Sequence, residues 1–115
     1  MNIGILEKDR FKVINTPEHK DVTILGSTGS IGSNTLDLIG RNPEKYNVKA
    51  LTANSNVEAL AQQAITHNAE MAVIADKDKY SELKEALSGK NIIVAAGEDA
   101  LNEAADMSAD WVMSS

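Results

Sequence analysis

The sequence predicts an α/β fold, an open and doubly wound parallel sheet of about five strands with helices on both faces. Three observations carry this. From Asp21 onward, short β-rich apolar runs alternate with segments whose apolar residues recur at helical spacing. The runs are short and continuously apolar, as strands covered on both faces should be. A glycine-rich turn, Gly26-Ser27-Thr28-Gly29-Ser30-Ile31-Gly32, joins the first run to the first helix.

The first strand is Val22–Leu25, bounded by charge before it and by Gly26 after it. The helix that follows starts near Ser30, buries Ile31, Thr35, Leu38 and Ile39, and stops at Gly40 with Asn42-Pro43 behind it. A second strand, Val48–Ala53, leads into the clearest helix of the chain. Its Val57, Leu60, Ala61, Ala64 and Ile65 fall at i, i+3, i+4, i+7 and i+8, and Asn56 is its N-cap. The third strand, Met71–Ala75, precedes Asp76 and Asp78, either of which can cap a helix burying Tyr80, Leu83 and Leu87 and closing at Ser88-Gly89. Ile92–Ala95 reads as a fourth strand and Glu98–Ala105 as a helix with Leu101, Ala104 and Ala105 inward. Trp111–Met113 reads as a fifth strand. Residues 21–115 thus form one Rossmann-like domain, with its ligand crevice at the carboxyl ends of the strands.

Composition narrows the function. A length of 115 residues supplies one core. Eleven Lys and Arg against seventeen Asp and Glu leave a formal charge of -6, which would repel nucleic acid and an anionic membrane surface. The absence of Cys removes disulfides, thiolate metal sites and a Cys nucleophile, and points to the cytoplasm. Residues 1–20 carry Glu7, Lys8, Asp9, Arg10 and Lys12, so they lack the apolar stretch of a signal peptide or membrane span, and they read as an N-terminal arm.

Each glycine of the turn has a physical reason to be there. Gly26 can take positive φ, Gly29 lets the backbone approach phosphates, and Gly32 lets the helix pack close to the strand. The N–H groups and positive dipole at the helix start would face an anion, with Ser27, Thr28 and Ser30 adding hydroxyl donors. A glycine turn can also be a packing device without a ligand, but its place between strand and helix in a βαβ unit favours a dinucleotide. No Gly-Lys-Ser/Thr follows, which excludes a Walker A loop. After the second strand comes Asn54-Ser55-Asn56, with no carboxylate before Glu58. NADP is therefore preferred to NAD, since a 2′-phosphate would meet neutral donors and no repelling acid. Ser55 and Asn56 read equally well as a helix cap.

The string Thr23–Gly32, together with Thr35-Leu36-Asp37, Asn42-Pro43, Leu51–Val57, Ala75-Asp76 and Asp110–Met113 in the same order, resembles the start of 1-deoxy-D-xylulose 5-phosphate reductoisomerase. The resemblance implies an NADPH-binding N-terminal domain of an enzyme that rearranges and reduces 1-deoxy-D-xylulose 5-phosphate to 2-C-methyl-D-erythritol 4-phosphate. That enzyme uses Mg²⁺ or Mn²⁺, takes a sugar phosphate as its small-molecule substrate, forms a homodimer and serves isoprenoid synthesis. By position, Thr28, Gly29, Ser30 and Ile31 resemble its pyrophosphate-contacting run, and Asn54, Ser55 and Asn56 its adenosine-ribose loop. Many members have glycine and a basic residue where this chain has Asn54 and Ser55. Asn54 tolerates positive φ, which would preserve the turn. The resemblance places the metal-binding carboxylates, the phosphate-binding residues and the lid beyond residue 115, so it assigns no catalytic or metal-binding residue here and implies that these residues alone do not turn over.

The remaining candidates read as structural. His19 and His67 have no second ligand at metal spacing and read as solvated, His67 near a helix C-terminus. Trp111, inside the last strand, reads as core. Lys77, Lys79, Lys84 and Lys90 interleave with acids as a solvated face.

Overall fold

A computed structural model describes residues 20–106 and 109–114 of the chain. The arm at residues 1–20, apart from Lys20, and His19 within it lie outside the described residues. The elements run β1 (Lys20–Leu25), α1 (Ser30–Gly40), β2 (Tyr46–Ala53), α2 (Val57–Thr66), β3 (Met71–Ile74), a 3-10 turn (Lys77–Lys79), α3 (Tyr80–Ala86), β4 (Ile93–Ala96), α4 (Glu98–Asp106) and β5 (Trp111–Ser114). All five strands are parallel, in the order β4-β3-β2-β1-β5.

That order places the helices. From β1 to β4 the chain steps one way across the sheet, with Leu36 and Ile39 of α1, Leu60 of α2 and Leu83 of α3 packed on one face against Val22, Ile24, Leu51 and Ile74. The return from β4 to β5 reverses direction, and a crossover of constant hand then puts its helix on the opposite face. There Ala104 of α4 meets Ala50, Met71 and Val73. The reversal leaves β1 between two chain directions, so the loop after β1 stands at the topological switch point.

Local signals account for the boundaries. The Asn56 side chain accepts the Ala59 N–H at 3.1 Å and starts α2. Asp76 accepts the Asp78 N–H at 3.0 Å and starts the 3-10 turn that runs into α3; Asp78 supplies only its backbone N–H, and α3 itself, with Lys79 at its N-cap, has no side-chain cap. Gly89, after α3, takes φ +76°.

Several inward assignments differ. On α1 the buried residues are Gly32, Leu36 and Ile39, whereas Ile31 is 66% and Leu38 62% exposed and Thr35 is half-buried. The cause is Gly32: a Cβ there would lie 2.6 Å from the Gly26 carbonyl oxygen and 2.7 Å from Ser27 Cα, so this side of α1 is pinned against the turn. Leu36 and Ile39 follow it at i+4 and i+7. Ile65 is exposed, and Tyr80, Leu101 and Ala105 are half-buried. Trp111 is 43% exposed rather than core, because β5 lies at the edge of the sheet formed by the described residues; its ring stands beside that of Tyr46 (centroids 5.6 Å apart) and the Lys20 ammonium. His67, the C-cap of α2, is half-buried against Gly40, where a Cβ would come within 2.9 Å of its Cε1. Burial lowers its imidazole below the ordinary 6.5, against an upward pull from Asp37. It is therefore not the solvated helix-end cation its position suggests.

Candidate functional site

The glycine turn leaves β1 with Gly26 at φ +78°, a conformation that a Cβ disfavours. Two backbone bonds then shape it: Gly29 N–H to the Gly26 carbonyl at 3.2 Å, and Ser33 N–H to the Gly29 carbonyl at 2.8 Å. Gly29 is the N-cap of α1 with φ -75°, and no side chain caps the helix from that position. Among the described helices, α1 is the one with no acidic residue in its first turn, while α2, α3 and α4 carry Glu58, Glu82, and Glu98 with Asp99. Its dipole end and first N–H groups are thus not offset by a local carboxylate, as an anion site requires.

A groove of about 360 Å³ opens in front of this helix start, lined by Gly26, Thr28, Gly29, Ser30, Ile31 and Asn54. It lies at the carboxyl ends of β1 and β2, so the fold brings the two sequence-predicted segments together although 22 residues separate Gly32 from Asn54. Ile31, expected on the buried side of α1, instead presents its side chain to the groove.

Four predicted residues sit elsewhere. Ser27 is fully buried and its hydroxyl donates to Gln63 Oε1 at 2.8 Å, so it faces the fold and not the groove. Gly32 lies behind the turn as a packing contact. Ser55 and Asn56 are exposed beyond the groove lining, and the Asn56 carboxamide oxygen is engaged in capping α2. The Asn54 loop is held from β3, with Ala75 N–H on the Ala53 carbonyl at 2.9 Å and Asp76 N–H on the Asn54 carbonyl at 3.0 Å. Among the described residues the positive-φ residues other than glycine are Asn68 and Asn91, so Asn54 does not use the left-handed conformation.

Sequence reasoning passed over two residues that hold the site. Thr52, nearly fully buried at the end of β2, accepts the Gly26 N–H on its hydroxyl at 2.9 Å, and its carbonyl accepts the Ser27 N–H at 2.8 Å. Gln63 reaches Ser27 and Ser33 from α2. The available signal was a polar residue inside an otherwise apolar pattern: Thr52 in a buried strand, Gln63 between Leu60 and Ala64.

Residues 22–115 match the sequence profile of the family described as 1-deoxy-D-xylulose 5-phosphate reductoisomerase. The chain belongs to this family. The reductoisomerase of Zymomonas mobilis subsp. mobilis is 60% identical over 94 residues, which cover 82% of this chain and 24% of that protein. The reductoisomerase of Rhizobium meliloti is 55% identical over 94 residues, covering 80% of this chain and 24% of that protein. A solved structure of the Zymomonas mobilis reductoisomerase in complex with NADPH superposes with a TM-score of 0.82 at 57% identity, over 84% of this chain and 26% of that one. A reductoisomerase in complex with NADPH, fosmidomycin and magnesium gives 0.75 at 33% identity, over 81% and 23%. The chain spans about a quarter of the length of the reductoisomerases it matches.

The family match contains the whole glycine turn, Asn54–Asn56, Thr52 and Gln63. Among the described residues, no three His, Asp or Glu side chains stand together where a metal ion could be held, and Asp76 is engaged as a cap. No helix among the described residues is long and apolar enough to cross a membrane.

Proposed function

We propose that residues 21–115 are the NADPH-binding domain of a 1-deoxy-D-xylulose 5-phosphate reductoisomerase. The observation that carries this is the groove over the start of α1, where a positive-φ glycine, an uncapped helix start and Asn54 face one cavity. In this reading the pyrophosphate lies against Gly26, Thr28, Gly29, Ser30 and Ile31, where backbone N–H groups donate to it and no side chain repels it. The 2′-phosphate of the adenosine ribose lies toward Asn54, Ser55 and Asn56, which offer neutral donors; the N–H₂ of Asn56 stays available while its oxygen caps α2. Ser27 and Gly32 act from behind, as packing and hydrogen-bonding supports of the turn.

The whole protein would convert 1-deoxy-D-xylulose 5-phosphate to 2-C-methyl-D-erythritol 4-phosphate in the cytoplasm, as a homodimer. NADPH supplies the hydride when bound. The part played by these residues is to bind and orient the cofactor, since hydride transfer needs a substrate held beside it. The chain's span of about a quarter of the length of its relatives is consistent with a domain that binds without turning over.

Calorimetric titration of the chain with NADPH, NADH and ATP tests this, with Gly29→Val as the obstructed control. NADPH should bind more tightly than NADH, and the variant should lose both. A folded chain that binds no nucleotide would overturn the assignment, and turnover in a coupled NADPH assay would overturn the inactive-domain reading. A second reading, an interaction module, is favoured by the exposed edge strand, where Trp111, Val112 and Met113 are 43%, 47% and 37% exposed. A concentration-dependent dimer in sedimentation would support it, and a strict monomer would remove it.

A further inference from the structure

We propose that Gln63 is a positioning residue of the phosphate turn, a side chain that ties Ser27 to Ser33 and so holds the turn in the geometry that receives a diphosphate. The inference rests on the reading of that turn as a pyrophosphate site. Gln63 Oε1 accepts the Ser27 hydroxyl at 2.8 Å, and its Nε2 donates to the Ser27 carbonyl at 2.9 Å and to the Ser33 hydroxyl at 3.3 Å. The Ser33 hydroxyl in turn donates to the Ser27 carbonyl at 3.3 Å. The Ser27 hydroxyl has one proton, so the short bond to Gln63 takes it and the 3.4 Å approach to the Thr52 carbonyl is secondary.

This arrangement needs a carboxamide. The group must accept one bond and donate two within a few ångströms; a carboxylate has no donor and an ammonium has no acceptor. Ser27 lies in the turn and Ser33 in the first turns of α1, so one amide spans the segment whose N–H groups face the groove. The same residue belongs to α2, which begins directly after the Asn54–Asn56 loop. Gln63 therefore ties the turn to the element that carries the proposed ribose loop and sets the distance that one dinucleotide must bridge. It lines no part of the groove, so its effect on binding passes through Ser27 and Ser33.

The test uses the full chain as wild type, Gln63→Ala and Gln63→Glu, the last keeping the acceptor for Ser27 and removing both donors. Each is titrated with NADPH and with adenosine 2′-monophosphate, which lacks the pyrophosphate, and its melting midpoint is recorded separately. Both variants should bind NADPH at least tenfold more weakly, keep adenosine 2′-monophosphate affinity within about twofold, and show faster amide exchange at Gly29–Ile31 but not at Val22–Ile24. Should Gln63→Ala not fold, Gln63→Glu and Ser33→Ala, which removes one contact of the amide, carry the same comparison. Unchanged NADPH affinity in folded variants would overturn the proposal, as would equal weakening of both ligands, which marks a merely structural role. A folded wild type that binds neither ligand would overturn the underlying reading of the turn and the proposal with it.

Discussion

The Thr52 hydroxyl accepts the backbone N–H of Gly26 at 2.9 Å, so the end of β2 holds the first residue of the glycine turn that leaves β1. Thr52 is almost fully buried, where losing a hydrogen bond costs more than at the surface. Thr52→Val should lower stability by about 1–2 kcal/mol and weaken NADPH binding. Urea denaturation and calorimetry check the two effects, and unchanged values for both would contradict this role.

Gly32→Ala should be worse than an ordinary helical substitution. The new methyl would meet backbone atoms at 2.6 and 2.7 Å, and neither Gly26 nor Ser27 can move aside without disturbing the turn. A loss of about 1–3 kcal/mol is expected, with NADPH affinity falling alongside. A stabilising outcome, as helix propensity alone predicts, would mean that α1 can slide away from the turn.

The two leucines of α1 separate its faces. Leu36 is 2% exposed and Leu38 62%. Leu36→Ala should cost about 2–5 kcal/mol. Leu38→Ala should stay within about 0.5 kcal/mol. Paired chemical denaturation curves decide, and the reverse ranking would place the opposite side of α1 against the sheet.

Thr23 is fully buried in β1, and its hydroxyl finds no partner among the described residues. A buried hydroxyl without a partner loses its water and gains nothing in return. Thr23→Val should therefore stabilise the fold by about 1 kcal/mol, read as a higher melting midpoint. A lower midpoint would show that the hydroxyl is bonded.

His67 sets a pH dependence. Its imidazole sits below the ordinary 6.5 because burial disfavours the cation, so the unfolded chain takes up the proton first as pH falls. Stability from this group is complete above about pH 6.5 and declines as pH drops through 6.5 toward the lower folded value. Glu70, lowered first by the Asn47 hydrogen bond, adds its own loss only below its ordinary 4.5. Melting midpoints between about pH 8 and pH 5 should fall less steeply in His67→Gln than in the parent, and parallel curves would exclude the histidine as the cause.

The sequence by itself determined the order of elements, the parallel α/β class and the position of the glycine turn, because these rest on short-range rules: apolar period, caps such as Asn56 and Asp76, and the conformational freedom of Gly26. Even the buried side of α1 was legible in principle, since a glycine required for close approach marks the inward face and Leu36 and Ile39 follow it by helical spacing. Trp111 was a different matter: an apolar strand segment reads alike at the centre and at the edge of a sheet, and only the order β4-β3-β2-β1-β5 exposes it. The polar supports of the turn also belong to the tertiary structure. Ser27 and Gln63 are 36 residues apart, and nothing local to either shows that one carboxamide satisfies the other residue's hydroxyl and carbonyl. Hydrogen bonds between distant elements depend on where the sheet sets those elements, and that placement is decided when the whole core packs at once.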